Sequence, residues 1–329
     1  MGQGIRAKII GTGSFTPESR MTNADFERIV DTSDEWIISR TGIRERRISD
    51  ADTFSSDMAV VACRNALEMA GCSNDEVEMI IIGTVTPDYR LPSTACVVQE
   101  KMGLPNAAAM DVVAACAGFL NGLSIASSFI KSQTYSRVLV VGVEKLSAIT
   151  NYKDRNTCVL FGDAAGAAVL APTENGTGVL STFLKSNGSL REWLWSSTGG
   201  TVNPYTPDFK YDGTDKITMA GSDVFKVAVR EMARAAASVL QEAGLKPDDI
   251  TMVIPHQANI RIVEALAKRL HVGMDRVFLN IEEYGNTSAA SVPLALDQAN
   301  RQGKIKPGDY VLMVAFGGGL TWGAAVVKW

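Results

Sequence analysis

Apolar positions along the chain fall into two kinds of segment. Short unbroken runs, among them Met79-Ile80-Ile81-Ile82, Val138-Leu139-Val140-Val141, Met252-Val253-Ile254 and Val311-Leu312-Met313-Val314, have the pattern of strands buried on both faces. Between them lie amphipathic stretches at helical spacing, one carrying Phe119, Leu120, Leu123, Ala126 and Ile130, another Val263, Leu266, Ala267 and Leu270. Strands alternating with helices predict an α/β fold whose mixed sheets are covered by helices.

The pattern occurs twice. A helix, an Ala-Gly turn, an acidic loop and an apolar strand run from Ala59 to Ile82 and again from Met232 to Pro255. At a constant offset of 173, Ala70, Gly71, Asp75 and Met79 meet Ala243, Gly244, Asp248 and Met252, and Val138–Val141 fall on Val311–Val314. The strand after each of these also repeats, Gly166-Ala167-Ala168-Val169 as Gly323-Ala324-Ala325-Val326. This ordered set points to an ancient duplication. The expected organisation is two halves, 1–172 and 173–329, stacked in layers with shared helices between their sheets. Residues 20–56 read as an insertion carrying Trp36 and a dense run of arginines, and 173–215, rich in Gly, Ser, Thr, Asn and Pro, as the join.

Composition narrows the class. The 329 residues, 46% hydrophobic and 21% charged, exclude a disordered or collagen-like chain. A net charge of -4 lacks the basic footprint of a nucleic-acid or anionic-membrane binder. No apolar run approaches the roughly 18 residues of a membrane span. The start Met1-Gly2-Gln3-Gly4-Ile5-Arg6 has no signal-peptide core, and Cys63, Cys72, Cys96, Cys116 and Cys158 are scattered without a C-x-x-C pair. The expectation is a cytoplasmic protein with neither nucleic acid nor membrane as partner.

Three turns carry candidate chemistry. Cys116, in Ala114-Ala115-Cys116-Ala117-Gly118-Phe119, follows an apolar run and opens a helix, where free N–H groups and the helix dipole lower a thiol's pKa. Local context leaves it open between a nucleophile and a packed core cysteine; the other four read as core. His256 ends the strand Met252–Pro255, at the carboxyl edge where α/β sheets bind ligands. His271, at the end of the next helix, reads as structural. Asn286, in Gly285-Asn286-Thr287-Ser288-Ala289-Ala290-Ser291, lies in the second half's counterpart of the Cys116 turn, although Asn is also a common N-cap. Phe316-Gly317-Gly318-Gly319-Leu320 offers backbone N–H groups to a developing oxyanion. No P-loop lysine, complete dinucleotide fingerprint or zinc spacing is present.

Together these motifs resemble the 3-oxoacyl-[acyl-carrier-protein] synthase III family, initiating condensing enzymes of fatty-acid synthesis with the thiolase fold. The resemblance runs nearly end to end. It includes Asp31-Thr-Ser-Asp-Glu-Trp36-Ile-Ile-Ser-Arg40-Thr-Gly-Ile-Arg44, Leu160-Phe-Gly-Asp163-Ala-Ala-Gly and Phe316-Gly-Gly-Gly-Leu-Thr-Trp322. It implies mixed five-stranded sheets in an α-β-α-β-α arrangement and the catalytic set Cys116, His256 and Asn286. Cys116 would take an acyl group from acyl-CoA, and the backbone N–H groups of Cys116 and Gly318 would form the oxyanion hole. His256 and Asn286 would stabilise the enolate left when malonyl-acyl carrier protein loses CO2. Thr32, Trp36, Arg40, Arg155, Phe225 and Asn259 would hold CoA, and Gln257, Arg261 and Lys268 would dock the acidic carrier protein. The family is homodimeric, and the Leu91 position of the partner closes the acyl pocket; leucine there departs from acetyl-preferring relatives with phenylalanine. No metal or other cofactor is implied, acyl-CoA being a substrate. The alternatives are a condensing enzyme of a secondary-metabolite pathway, a non-catalytic acyl-CoA binder and a papain-type hydrolase.

Overall fold

The computed structural model describes residues 4–210 and 212–329; Met1, Gly2 and Gln3 of the chain start lie outside the described residues. Two sheets dominate. The first has the order Arg6–Phe15, Asp163–Thr173, Val138–Lys145, Met79–Gly83, Ala108–Val112, and the last three strands are parallel. The second has the order Met252–Pro255, Tyr310–Gly317, Thr321–Lys328, Gly178–Ser186, with only its first pair parallel.

Alternate residues of each strand enter different layers, as the two-residue period of a strand requires. Met79, Ile81, Val138 and Val140 face a central layer that they share with Met252, Ile254, Val311 and Met313 of the other sheet. That layer holds the helices Gly118–Lys131 and Ser291–Arg301. Ile80, Ile82, Leu139 and Val141 face outward onto the helices Ser55–Ala70 and Thr94–Met102. Val253, Leu312 and Val314 face the helices Gly221–Ala243 and Ile260–Leu270. The result is the layered α-β-α-β-α arrangement.

Strand register repeats with the sequence. Met79 pairs with Val138 in the first sheet and Met252 with Val311 in the second, each partner shifted by 173. Val140 pairs with Ala168 and Met313 with Ala325, the alignment given by the Gly-Ala-Ala-Val repeat. The long outer helices end alike, at Gly71 and Gly244, with φ of +60° and +70°. The second sheet has four strands rather than the expected five. At the fifth position only Val277 bridges, to Val253, and the Phe278 carbonyl accepts from the Gln257 side chain instead of a ladder partner. The stretch 173–215 supplies the edge strand Gly178–Ser186 rather than only a join. Within 20–56, the strand pair Arg20–Thr22 and Glu45–Arg47 encloses the helix Asp34–Thr41.

Near the central turns, main chain touches main chain. A Cβ on Gly83 would lie 2.5 Å from the Gly118 carbonyl carbon, one on Gly142 would lie 2.1 Å from the Ala289 oxygen, and one on Gly317 would lie 2.5 Å from the Cys116 nitrogen.

Candidate active site

Each central helix is preceded by a one-turn 3-10 segment, Ala115–Ala117 before Gly118–Lys131 and Ser288–Ala290 before Ser291–Arg301. Ala115 and Ser288, 173 apart, both hold positive φ, +45° and +47°. Non-glycine residues reach that region only when their surroundings impose it. The shared strain shows that the two turns are equivalent. It also shows that the position matching Cys116 is Ala289, with Asn286 three residues ahead of it.

Cys116, His256 and Asn286 line one cavity of about 790 Å³. Cys116 is buried at the opening of its helix. His256 continues the ladder by donating its N–H to the Val314 carbonyl at 2.8 Å, and its Nδ1 lies 2.6 Å from Ser291 Oγ. Asn286 is held by main-chain hydrogen bonds, its N–H to the Leu160 carbonyl at 2.8 Å and its carbonyl from the Gly162 N–H at 3.1 Å. Its side-chain oxygen accepts the Ser288 N–H at 2.8 Å, so the carboxamide keeps its NH2 end for the cavity. Thr321 Oγ1 donates toward the Ala114 carbonyl at 2.8 Å and the Gly318 carbonyl at 3.0 Å, fastening the glycine turn beneath the Cys116 turn.

Electrostatics correct one expectation. Burial pushes the Cys116 thiol up to about 12; a hydrogen bond with Ser288 acts in the opposite sense, and the Glu144 carboxylate adds to the rise. The helix N-terminus was expected to lower this value, but desolvation outweighs it, and the resting thiol is protonated at neutral pH. Burial likewise pushes His256 down to about 3, so its imidazole is neutral.

The sequence did not single out three neighbours. Glu144 is fully buried and accepts hydrogen bonds from Thr86 Oγ1 at 2.7 Å, the Val85 N–H at 3.1 Å and Ser288 Oγ at 3.1 Å. Burial pushes its carboxyl up to about 7. Its one signal was a charge inside the apolar strand Val138–Lys145. Ser288 and Ser291 lie within the quoted Asn286 motif, but small turn residues give no hint of their partners.

The cavity continues to the surface past Leu160, Leu194, Met219 and Phe225, ending at Trp36, Arg40, Asn259 and Arg261. The Trp36 ring is flanked by the guanidinium groups of Arg40 at 5.4 Å and Arg155 at 5.2 Å. Asn259 caps the helix Ile260–Leu270 and donates to the Arg40 carbonyl at 2.9 Å. Arg261 lies over the Phe225 ring at 5.8 Å. Near Trp36, the Thr32 hydroxyl is buried without a partner. Lys268 is exposed on the helix of Arg261. Gln257 cannot belong to a docking surface: it is 1% exposed, and its side-chain NH2 donates to the Pro255 and Phe278 carbonyls at 2.9 and 3.1 Å. Leu91 is 88% exposed and outside the cavity. His271 caps its helix in the left-handed conformation. No group of three or more His, Cys, Asp or Glu suited to a metal ion occurs among the described residues.

Known proteins resemble the chain along nearly its whole length. Residues 110–188 match the family model described as 3-Oxoacyl-[acyl-carrier-protein (ACP)] synthase III, and residues 240–329 match its C-terminal counterpart. The beta-ketoacyl-[acyl-carrier-protein] synthase III of Caldanaerobacter subterraneus subsp. tengcongensis is 52% identical over 325 residues, 99% of this chain and 98% of that one. The crystal structure of 3-oxoacyl-[acyl-carrier-protein] synthase III from Aquifex aeolicus VF5 superposes with a TM-score of 0.92 at 48% identity, covering 98% of this chain and 100% of that one. The priming beta-ketosynthase of the R1128 polyketide biosynthetic pathway superposes with a TM-score of 0.93 at 35% identity, covering 100% and 98%. With half of its residues inside the two family models and relatives of about 50% identity along nearly its whole length, the chain belongs to the 3-oxoacyl-[acyl-carrier-protein] synthase III family.

Proposed function

We propose that Cys116, His256 and Asn286 carry out the initiating condensation of fatty-acid synthesis, joining an acyl-CoA to malonyl-acyl carrier protein to give 3-oxoacyl-acyl carrier protein, CO2 and CoA. The observation that carries this assignment is the convergence of a thiol, a neutral imidazole and a free carboxamide NH2 in one cavity that runs out to Trp36 and Arg40.

In the first step the Cys116 sulfur attacks the thioester carbonyl, a new C–S bond forms, and CoA leaves. The thiol proton ends on the CoA sulfur, so the exchange is balanced. Backbone N–H groups of Cys116 and Gly318 stabilise the tetrahedral oxyanion. In the second step the malonyl thioester loses CO2, and the electron pair delocalises onto the thioester oxygen. His256 and the Asn286 NH2 donate hydrogen bonds to that oxygen, each supplying about 3 kcal/mol by analogy with single oxyanion-hole donors. The enolate carbon then attacks the acyl carbonyl carbon, the bond between that carbon and the Cys116 sulfur breaks, and the released thiolate takes a proton from solvent to restore the thiol.

Trp36, Arg40, Arg155, Thr32, Phe225 and Asn259 bind the CoA end. Arg261 and Lys268, exposed beside the mouth, meet the acidic carrier protein. The edge strand Ala108–Val112, with Val113 79% exposed beyond it, is the surface for a second copy that brings its Leu91 to the acyl pocket. The repeated registers support reading 1–172 and 173–329 as ancestral copies. No resident cofactor enters these steps. No helix among the described residues is long and apolar enough to cross a membrane. The reaction's substrates, acyl-CoA and malonyl-acyl carrier protein, make the cytoplasm the expected location.

Intact mass after incubation with acyl-CoA tests the nucleophile: one acyl adduct per wild-type chain is expected and none on Cys116→Ala. An adduct retained by that variant overturns the assignment. His256→Ala and Asn286→Ala should still acylate yet fail to decarboxylate malonyl-carrier protein. Loss of acylation alone would refute their enolate role.

A further inference from the structure

A neutral imidazole carries one ring proton, and the nitrogen that holds it decides whether the side chain donates or accepts at the other. His256 meets the protein through Nδ1, where Ser291 Oγ lies 2.6 Å away. The Ser291 hydroxyl has one hydrogen and two acceptors within reach, Nδ1 and the Ser288 carbonyl at 2.8 Å. That carbonyl already accepts the Ser291 backbone N–H, which closes the Ser288–Ala290 turn. Two arrangements satisfy every group: Nδ1–H donates to Ser291 Oγ, whose hydrogen then goes to the Ser288 carbonyl, or the ring proton sits on Nε2 and Ser291 Oγ, the one donor that reaches Nδ1 among the described residues, donates to it. Only the second leaves an N–H for an enolate oxygen in the cavity.

We propose that Ser291 is a positioning residue that donates to His256 Nδ1 and so fixes the proton on Nε2, making the imidazole a donor toward the cavity. Ser291 is 1% exposed and opens the helix Ser291–Arg301, so the hydroxyl that sets the ring is itself fixed by a rigid element. This inference rests on His256 as an enolate donor. It adds how a neutral histidine is kept in the one form that can donate there.

The chain has two histidines, His256 and His271, so ring 15N labelling gives two spin systems, and a His256→Ala sample assigns them. The wild-type enzyme should show a protonated Nε2 and a hydrogen-bond-accepting, unprotonated Nδ1 on His256. Ser291→Ala should let the ring mix its tautomers and slow malonyl decarboxylation about 10–100-fold, by analogy with the loss of the orienting partner of a metal-bound histidine. Acylation of Cys116 should remain. A wild-type His256 protonated at Nδ1 overturns the proposal whether or not the variant folds. So does a Ser291→Ala enzyme with unchanged ring signals and decarboxylation rate. Failure of the underlying reading looks different: His256→Ala would decarboxylate at the wild-type rate while the wild-type ring pattern stayed as expected.

Discussion

Glu144 offers a direct test of the electrostatics around Cys116. Its carboxyl is fully buried, meets only hydrogen-bond donors and is pushed by desolvation from 4.5 up to about 7. Between those values the folded protein holds a proton that the unfolded chain has released. The folded state therefore binds more protons, and its stability falls as pH rises through that window and levels off above it. A shift of that size corresponds to roughly 3 kcal/mol. Glu144→Gln removes the titration while keeping the shape. It should be destabilising at low pH, because an amide cannot accept from all the donors that meet the carboxyl. The wild type's advantage should then shrink by roughly 3 kcal/mol between pH 5 and 8. Urea unfolding of both proteins at one fixed concentration, repeated across that range, measures the difference, and the concentration is held because association would shift the midpoint. An advantage that stays constant, or widens with pH, refutes the reasoning.

Gly317→Ala would place a methyl group 2.5 Å from the Cys116 nitrogen and should slow acylation about 100-fold while leaving the circular dichroism spectrum native; normal acylation would show that the turn yields at no cost. Trp36→Ala removes the ring between Arg40 and Arg155 and should raise the acyl-CoA KM about tenfold with kcat little changed; an unchanged KM would move CoA recognition elsewhere. Asp297 is buried and accepts from Thr12 Oγ1 at 2.8 Å, Ser14 Oγ at 2.6 Å and Arg301 Nε at 2.9 Å, tying the first strand to the helix Ser291–Arg301. Asp297→Ala should cost about 3 kcal/mol in denaturant unfolding, and a loss within experimental error would show that the three donors find other partners.

The layers were legible because the central strands, such as Met79–Gly83 and Met252–Pro255, are unbroken apolar runs and the long helices carry an apolar face. The repeated strand registers were legible because the repeated residue pairs sit at one constant offset, as Met79 with Val138 and Met252 with Val311. That the second sheet stops at four strands among the described residues was not legible, because it turns on a side chain, Gln257, reaching across to the Phe278 carbonyl. The turns that meet in the cavity showed themselves through small residues at strand-to-helix boundaries, and the family resemblance suggested roles for Cys116, His256 and Asn286. The protonated state of the Cys116 thiol was hidden, since a local window shows the helix N-terminus but not the depth of burial. Glu144 and Ser288 were hidden for a related reason: they are 144 residues apart in the chain and meet only once the two central turns are packed together.

The glycine seam has a consequence for how such an enzyme diversifies. Gly83 against Gly118, Gly142 against Ala289 and Gly317 against Cys116 make the spacing between sulfur and donors a matter of peptide thickness. Side chains farther along the channel, such as Leu194, Met219 and Phe225, are not part of that spacer. Exchange of those residues can retune how the arm of a bound ligand is held while the central side chains stay in alignment, so binding and reactivity are free to drift apart.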